Sequence, residues 1–290
     1  MKKLRTRRHA VVLNRSRGGD AGITVALFIL GFIMVVPLFY AVLQSFKPLD
    51  EFFVFPPRFF VSHPTLSNYQ DLFYLMSTSW VPFSRYIFNT VFISVAGTFG
   101  HLVCASLAAY VMSKMELPGK TAMFQMVQKS LMFNMGVMGT MTFVILRYLG
   151  WVDTYCAVII PAFQQSLGLY LMKQFMESNV STEVLESARL DGASELRTFW
   201  SIAMPMVKPA WLTLIIYSFQ GLWNSGASTF IYSEQLKTLN YAISQITNGT
   251  IARSGASAAA TVIMMIVPIL VFVISQSNII ETMGSSGMKD

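Results

Sequence analysis

Residues 181–205 read Ser181-Thr-Glu-Val-Leu-Glu-Ser-Ala-Arg-Leu-Asp-Gly-Ala-Ser-Glu-Leu-Arg-Thr-Phe-Trp-Ser-Ile-Ala-Met-Pro205. This stretch is rich in charge, which predicts that it lies in water, yet its apolar residues recur at helical spacing. They fall into two groups separated by Asp191-Gly192, a pair typical of a break between helices. The groups are Val184, Leu185 and Ala188, then Leu196, Phe199, Trp200 and Ala203.

The ends of these two helices are also marked in the sequence. Ser181 or Thr182 can cap the first helix, and Asp191 can cap the second. Pro205 is expected to end the second helix, because proline has no backbone N–H and clashes with the preceding turn. The pattern predicts a helix, a sharp turn and a second helix. Their apolar faces are too small to form a core, so they dock on a membrane domain or on another protein; an ordinary amphipathic loop is the alternative.

The rest of the chain is far less charged than this stretch. Of its 290 residues, 54% are hydrophobic and 12% are charged. An ordinary soluble domain carries about 25% charged residues, so the composition excludes a soluble enzyme and a disordered chain. Only two cysteines are present, which gives no disulfide framework. The composition therefore predicts an all-α polytopic membrane protein.

Stretches of sequence with few or no charges mark the membrane spans. A helix needs about 20 apolar residues to cross a bilayer, and six such segments are available, at about 21–45, 86–113, 121–146, 154–174, 209–232 and 255–279. The first is too long for the apolar region of a signal peptide. The predicted domains are a basic tail (1–20), a transmembrane domain (21–280) with an inner loop (177–208), and a C-terminal tail (281–290).

The basic residues set the predicted orientation. The net charge is +7, and seven of the 21 Lys and Arg residues lie in the first 17 positions: Lys2, Lys3, Arg5, Arg7, Arg8, Arg15 and Arg17. Because basic segments stay on the cytoplasmic side, the tail predicts that the N-terminus is cytoplasmic, and six spans return the C-terminus to the same side. The tail therefore indicates membrane topology and contact with lipid, with no nucleic acid as a partner.

The segment from Glu186 to Pro209 resembles the EAA loop of permease subunits in carbohydrate ABC importers of the maltose type. Two small residues depart from the family pattern: Ser187 in the middle of the Glu-Ala-Ala core, and Ser181 where a proline is usual. Shorter similarities extend over most of the chain, and the overall pattern resembles that of importers of acidic or complex oligosaccharides, alginate and pectin fragments among them. The matching residues are Glu186, Ala188, Asp191, Gly192, Ala193, Phe199, Pro205 and Pro209.

The resemblance implies a type I ABC importer permease fold in a bacterial inner membrane. It also implies a second permease subunit in a heterodimer, two cytoplasmic ATPase subunits that bind ATP and Mg, and an external solute-binding protein. This chain would hold no cofactor or metal. The loop would contact the ATPase and couple ATPase closure to alternating access through Glu186, Ser187, Ala188, Arg189, Asp191, Gly192 and Ala193. Phe199 and Trp200 would anchor the loop to the membrane domain.

A path for a sugar needs polar lining, because amides exchange hydrogen bonds with hydroxyl groups and aromatic rings stack on sugar faces. Hydrogen bonding between helices is the alternative role for each such residue. Lys129 is a special case, because an ionisable group within a span is a functional hypothesis by default. It can balance a carboxylate on a uronic acid, or its side chain can extend to the interface. The candidates are Lys129, Asn134, Gln164, Gln165, Gln220, Trp223 and Asn224.

A row of residues on the second span allows close helix packing. Gly97, His101, Ala105 and Ala109 recur every four residues, and small side chains in such a row let two helices approach closely. The row suits contact with a second permease subunit or packing within the chain, and the sequence leaves both open.

Other functions fit the sequence less well. Gly119-Lys120-Thr121 resembles the end of a phosphate-binding loop, but the glycine required five residues earlier is Lys114. The three histidines are too scattered to form a metal or catalytic site, so the chain is expected not to be an enzyme. A secondary transporter or channel is the alternative from another class, although its ion coupling would require an intramembrane carboxylate. An ABC importer of a non-sugar solute is the third possibility.

Overall fold

The structure is a computed structural model that describes residues 17–78, 80–132, 135–226, 229–247 and 253–286. The basic tail up to residue 16 and the last four residues lie outside these ranges. Helices dominate the described part of the chain. They are α1 (Arg17–Ser45), α2 (Leu49–Phe52), α3 (Ser67–Ser77), α4 (Phe83–Lys114), α5 (Lys120–Ser130), α6 (Met135–Tyr148), α7 (Cys156–Phe163), α8 (Ser166–Asn179), α9 (Thr182–Leu190), α10 (Glu195–Thr198), α11 (Met204–Met206), α12 (Lys208–Trp223), α13 (Leu239–Thr247) and α14 (Ser254–Ser286).

Three helices in the described ranges are long and apolar enough to cross a membrane by themselves: Gly18–Ser45, Phe83–Lys114 and Ser254–Gln276. A fourth is obtained if Glu195–Met206 and Lys208–Trp223, which meet at 84°, are taken as one span. The count of six spans therefore remains a prediction, whereas the predicted all-α character agrees with the helices of the described residues.

The third and fourth predicted spans are each divided into two shorter helices. The segment 121–146 is shared between α5 and α6, and 154–174 is shared between α7 and α8. At the second break, Gln165 has an extended backbone (φ −65°, ψ 111°) and is the N-cap residue that precedes α8. The carbonyl of Phe163 lies 3.2 Å from Nδ1 of the His101 ring, which gives the interrupted helix a partner for that oxygen.

The centre of the fold is α4, which contacts α12, α8, α7 and α13. Close approach depends on glycines: a Cβ atom added at Gly97 would lie 2.5 Å from Leu222, and one at Gly100 would lie 2.0 Å from Phe163. His101 is fully buried beside Gly168 of α8. The row of small residues on the second span therefore packs within this chain, which settles the alternative that the sequence left open.

The fifth predicted span also ends earlier than expected. Its helix, α12, stops at Trp223 instead of continuing to residue 232. The chain then runs through a short 3₁₀ turn, Glu234–Leu236, before α13 begins. We call residues 230–239 the outer segment, since they follow the outer end of the predicted fifth span.

Candidate functional site

The turn of the inner loop has a fixed backbone geometry. Gly192 has φ +80°, a conformation that glycine adopts without the steric cost of a Cβ atom. The N–H of Gly192 donates to the carbonyl of Arg189 at 3.0 Å, and the N–H of Ala193 donates to that of Ala188 at 3.0 Å. These two bonds form the Schellman arrangement that closes a helix end. The break predicted at Asp191-Gly192 is present and is closed by two backbone hydrogen bonds.

The second helix of the loop differs from its prediction at both ends. Its N-cap is Ser194, whose Oγ accepts from the N–H of Arg197 at 3.4 Å, so the expected cap at Asp191 was wrong. Pro205 was expected to stop the helix, but the chain stays helical as far as Met206. A π-helical turn, Phe199–Ala203, lies just before it. The wider turn accommodates a residue that lacks an N–H and would clash with the carbonyl four positions earlier.

Apolar packing attaches the inner loop to the membrane helices. Phe199 is 1% exposed, and its ring meets the Tyr110 ring of α4 edge-on with centroids 5.3 Å apart. Leu185 of α9 is equally buried in the same cluster. The anchoring role expected for Phe199 agrees with this geometry. Trp200 contacts the Phe199 ring but is 46% exposed, so it anchors the loop only in part. The cluster also includes Ala105, Ala109, Met172, Met176, Val180, Ala203, Met204, Val207, Ala210 and Leu214.

A polar contact crosses the turn and reaches α4. Nε of Arg189 lies 2.7 Å from Oε1 of Glu195, and the Tyr110 hydroxyl donates to Oε2 of the same carboxylate at 3.1 Å. The Arg189 guanidinium holds the pKa of Glu195 below its ordinary value, and the Tyr110 hydroxyl adds to this effect. Sequence reasoning did not single out Glu195, because the pairing spans a turn and a distant helix. Arg189, expected as a contact to another subunit, is engaged within the loop.

The exposed surface of the inner loop carries two leucines among its charged residues. Leu190, at the end of α9, is 90% exposed, and Leu196 in α10 is 66% exposed. The turn between them is open, since a Cβ atom at Gly192 would meet nothing within 4 Å. Glu186 and Ser187 are also exposed, whereas Ala188 is buried. A helix end with exposed leucines and a rigid turn is a surface suited to a protein partner.

The breaks in the third and fourth predicted spans lie side by side. The Oγ of Ser130, at the end of α5, donates to the Oγ of Ser166, at the start of α8, at 2.6 Å. Lys129 and Gln164, next to these two serines, are both exposed, and Gln165 is half-buried. Three of the predicted path residues are therefore brought together at two interrupted helices. Asn134 lies outside the described residues.

The candidates at the end of α12 are arranged differently. Trp223 is buried, and its ring N–H donates to the carbonyl of Met264 in α14 at 3.1 Å, so it takes the interhelical role in this conformation. Asn224 is exposed and donates to the carbonyl of Gln220 at 2.9 Å. Gln220 is half-buried. Within the described ranges, there is no group of three His, Cys, Asp or Glu residues that could hold a metal ion.

Long apolar helices with an exposed helix–turn–helix loop packed on the central helix fit a transport permease. The chain belongs to the family of binding-protein-dependent transport system inner membrane components, whose model matches residues 102–283. The resemblance seen in the segment Glu186–Pro209 is thereby confirmed.

The chain is also similar in sequence to several bacterial proteins of this kind. The chain is 32% identical to Protein LplC of Bacillus subtilis (strain 168) over 207 residues, covering 70% of this chain and 66% of LplC. It is 28% identical to the polygalacturonan/rhamnogalacturonan transport system permease protein YtcP of the same organism, covering 71% of this chain and 69% of YtcP. It is 25% identical to the galactooligosaccharides transport system permease protein GanQ, also from B. subtilis, covering 89% and 91%.

The fold also matches a solved structure. A chain in the crystal structure of a bacterial ABC transporter involved in the import of the acidic polysaccharide alginate superposes with a TM-score of 0.74. The sequences are 22% identical, and the match covers 91% of this chain and 98% of that chain. At this identity the likeness establishes the fold, so the predicted ABC permease fold is confirmed.

Proposed function

We propose that this chain is the permease subunit of an ATP-driven importer of oligosaccharides in a bacterial inner membrane. Family membership and relatives named for galactooligosaccharide and polygalacturonan transport support this proposal. The assembly would contain a second, related permease, two cytoplasmic ATPase subunits that bind ATP and Mg, and an external solute-binding protein. Both termini of this chain would be cytoplasmic. The chain itself would move cargo without catalysing a reaction.

The observation that carries the proposal is the geometry of the inner loop. The Schellman turn at Gly192 closes the loop, and the buried Phe199 packs it against Tyr110 of α4. Leu190 and Leu196 then present an apolar surface away from the membrane helices. ATPase closure would press on this surface and shift the membrane helices between inward and outward access. Such alternation is a two-state equilibrium that a ligand shifts only through its different affinity for the two states.

The roles within the loop follow from burial. Glu186, Ser187, Asp191, Gly192 and Ala193 line or adjoin the open turn and would meet the ATPase. The remaining two predicted contacts, Ala188 and Arg189, support the loop from within: Ala188 is buried, and Arg189 pairs with Glu195.

A matched pair of glycine variants tests the proposal. Gly119 and Gly192 both have φ +80°, and a Cβ atom at either would meet nothing within 4 Å. Gly192→Asp and Gly119→Asp therefore impose the same backbone strain and the same new charge, on two different inner turns. We expect both variants to insert and assemble, but only Gly192→Asp to lose ATP-driven uptake in proteoliposomes. Normal uptake by Gly192→Asp, or equal loss in both, would contradict the coupling role.

The interrupted helices suggest where cargo passes. Unwound segments of membrane helices commonly bind transported solutes, because their backbone groups are free to bond. Lys129, Gln164 and Gln165 lie at two adjacent breaks, and we propose that they contact the sugar. The ammonium group of Lys129 would favour a carboxylate on a uronic acid.

A comparison of two substitutions at one position tests the role of Lys129. Lys129→Met should reduce uptake of uronic-acid oligosaccharides and leave neutral ones unchanged, whereas Lys129→Arg should retain both. If Lys129 instead extends to the membrane interface, Lys129→Met will affect neither class. A panel that includes glycerol phosphate also tests the non-sugar alternative, since two relatives are sn-glycerol-3-phosphate permeases.

A further inference from the structure

The outer segment is tied to α4 by a buried asparagine. Asn89 is completely inaccessible to solvent. Its Nδ2 donates to the carbonyl of Gln235 at 2.9 Å and to that of Lys237 at 2.8 Å. Its Oδ1 accepts from the hydroxyl of Tyr155, at the start of α7, at 2.7 Å. One side chain therefore joins α4, the start of α7 and the outer segment.

A second attachment comes from the turn that precedes α7. Asp153 has φ +63°, which is unfavourable for a residue with a Cβ atom. Its N–H donates to the carbonyl of Phe230 at 2.9 Å, and its Oδ1 accepts from the N–H groups of Tyr232 and Ser233, both at 2.8 Å. The side-chain and backbone donors of Ser233 hold the pKa of Asp153 below its ordinary value. The carboxylate is thus ionised at neutral pH and holds the first part of the outer segment.

Two more bonds extend the attachment along α4. The Tyr86 hydroxyl donates to Glu234 at 2.7 Å, and the N–H of Leu239 donates to Oγ1 of Thr90 at 2.7 Å. Ile231 is fully buried within the outer segment. The outer segment is therefore bonded to the membrane helices near both of its ends and in its middle.

The same helix carries the inner loop at its other end. Tyr110 of α4 contacts Phe199 and donates to Glu195. At 1.5 Å per residue, Asn89 and Tyr110 lie about 31 Å apart along the helix axis. No proline interrupts α4 between them, so this stretch lacks the commonest cause of a sharp bend.

We propose that Asn89 and Asp153 are positioning residues that make the outer segment part of one rigid body with α4 and the inner loop. A displacement that the ATPase imposes on the inner loop would then reach the outer surface without an intervening hinge, and an external protein that presses on the outer segment would act on the same body. The inference rests on the proposed function, because it assigns the displacement to the ATPase.

A distance measurement tests directly whether the outer segment and α4 move together. Spin labels at Gln235→Cys in the outer segment and Glu116→Cys beyond the inner end of α4 would be measured by pulsed electron resonance, with Cys104 and Cys156 replaced by serine. Both labelled side chains are exposed. In the full assembly, we expect the distance in the nucleotide-free and ATP-trapped states to agree within about 2 Å, the scale of thermal motion. A change of about 5 Å, one helical turn, would overturn the proposal.

Variants test whether Asn89 and Asp153 attach the outer segment to the membrane helices. We expect Asn89→Ala and Asp153→Ala to broaden the distance distribution and to lower stimulation of the ATPase by the loaded binding protein about fivefold or more, as expected for loss of allosteric coupling. The variants should still purify with all subunits and retain basal ATP hydrolysis, which separates loss of coupling from failure to assemble. Asp153→Asn retains an oxygen acceptor and should recover part of the stimulation.

Two further variants complete the comparison. Gln235→Ala keeps the carbonyl that Asn89 uses and should behave as the wild type. Tyr155→Phe removes the hydroxyl that donates to Asn89 and replaces Asn89→Ala in the test if that variant fails to assemble. It should lower stimulation of the ATPase less than Asn89→Ala does. Stimulation equal to wild type in Asp153→Ala and Tyr155→Phe would overturn the assignment. A wild-type assembly without ATP-dependent uptake would instead contradict the proposed function.

Discussion

The inner loop and the outer segment are attached to opposite ends of α4 by different forces. The inner loop is held chiefly by apolar packing, with Phe199 at its centre. The outer segment is held by hydrogen bonds from buried polar side chains, with Asn89 at its centre. Apolar contacts are non-directional, whereas hydrogen bonds have narrow preferences for distance and angle. The outer segment is therefore fixed in register, and the inner loop is fixed by shape.

The two regions also differ in what they leave exposed. The inner loop keeps Leu190 and Leu196 exposed, whereas Leu185 and Phe199 are buried in the cluster shared with α4. The outer segment also exposes the Tyr232 ring, by 60%, but its backbone carbonyls at Phe230, Gln235 and Lys237 are bonded to Asp153 and Asn89. This contrast indicates that the inner loop is built to receive a protein surface and the outer segment is built to keep its position.

The largest expected change in the free energy of unfolding distinguishes Phe199 from Trp200. Phe199→Ala removes a fully buried ring from the cluster and should lower the free energy of unfolding by about 3–5 kcal/mol. Trp200→Ala removes a ring that is 46% exposed and should cost clearly less. Thermal unfolding of the purified protein in detergent measures both. Equal losses would contradict the claim that apolar packing through Phe199 holds the inner loop.

At the outer end, a pair of threonines on α4 tests the hydrogen bonds. Oγ1 of Thr90 accepts from Leu239, whereas the buried Oγ1 of Thr98 has no partner within the described residues. Thr90→Val leaves a buried N–H unsatisfied and should lower the free energy of unfolding by about 1–3 kcal/mol. The same substitution at Thr98 should be neutral or stabilising. If both variants unfold like the wild type, hydrogen bonding does not hold the outer segment.

A smaller effect is expected at the turn of the inner loop. Gly192→Ala meets no neighbour but must adopt φ +80°, which costs roughly 1–2 kcal/mol. Gly221→Ala, in α12, also meets no neighbour but has a helical backbone, and it should stabilise the protein by about 0.4–1 kcal/mol. Chemical denaturation of the two variants should show changes of opposite sign, and the same sign in both would contradict the role given to the turn.

The smallest effect concerns the pair of Arg189 and Glu195, whose side chains are 36% and 44% exposed. Exposed ion pairs contribute about 0–1 kcal/mol, so Arg189→Gln should barely change the unfolding midpoint at neutral pH. The pKa of Glu195 is lowered in the folded protein. The ion pair therefore stabilises the folded state at pH values above the ordinary pKa of 4.5, and this stabilisation is lost as the pH falls through the pKa of the folded protein. The difference in unfolding midpoint between the wild type and Glu195→Gln should therefore disappear only at acid pH. A difference that increased at acid pH would contradict the pairing.

Local patterns in the sequence predicted the features that depend on neighbouring residues. The break at Gly192, the buried face with Leu185 and Phe199, and the family all follow from residues close in sequence. The divided spans were not predicted, because hydropathy does not report backbone breaks. The contacts made by Glu195, Asn89 and Asp153 were also missed, since each joins segments that only the fold brings together.

The central claim is that the exposed face of the inner loop is covered by another subunit, and the reactivity of a cysteine at Leu190 tests it most directly. In a background with Cys104→Ser and Cys156→Ser, Leu190→Cys would be treated with a maleimide in the isolated permease and in the complete assembly. Glu116→Cys, on the other inner turn, is the control. We predict that Leu190→Cys reacts readily in the isolated permease and is protected in the assembly, while the control changes little. Equal reactivity of Leu190→Cys in both would contradict the account.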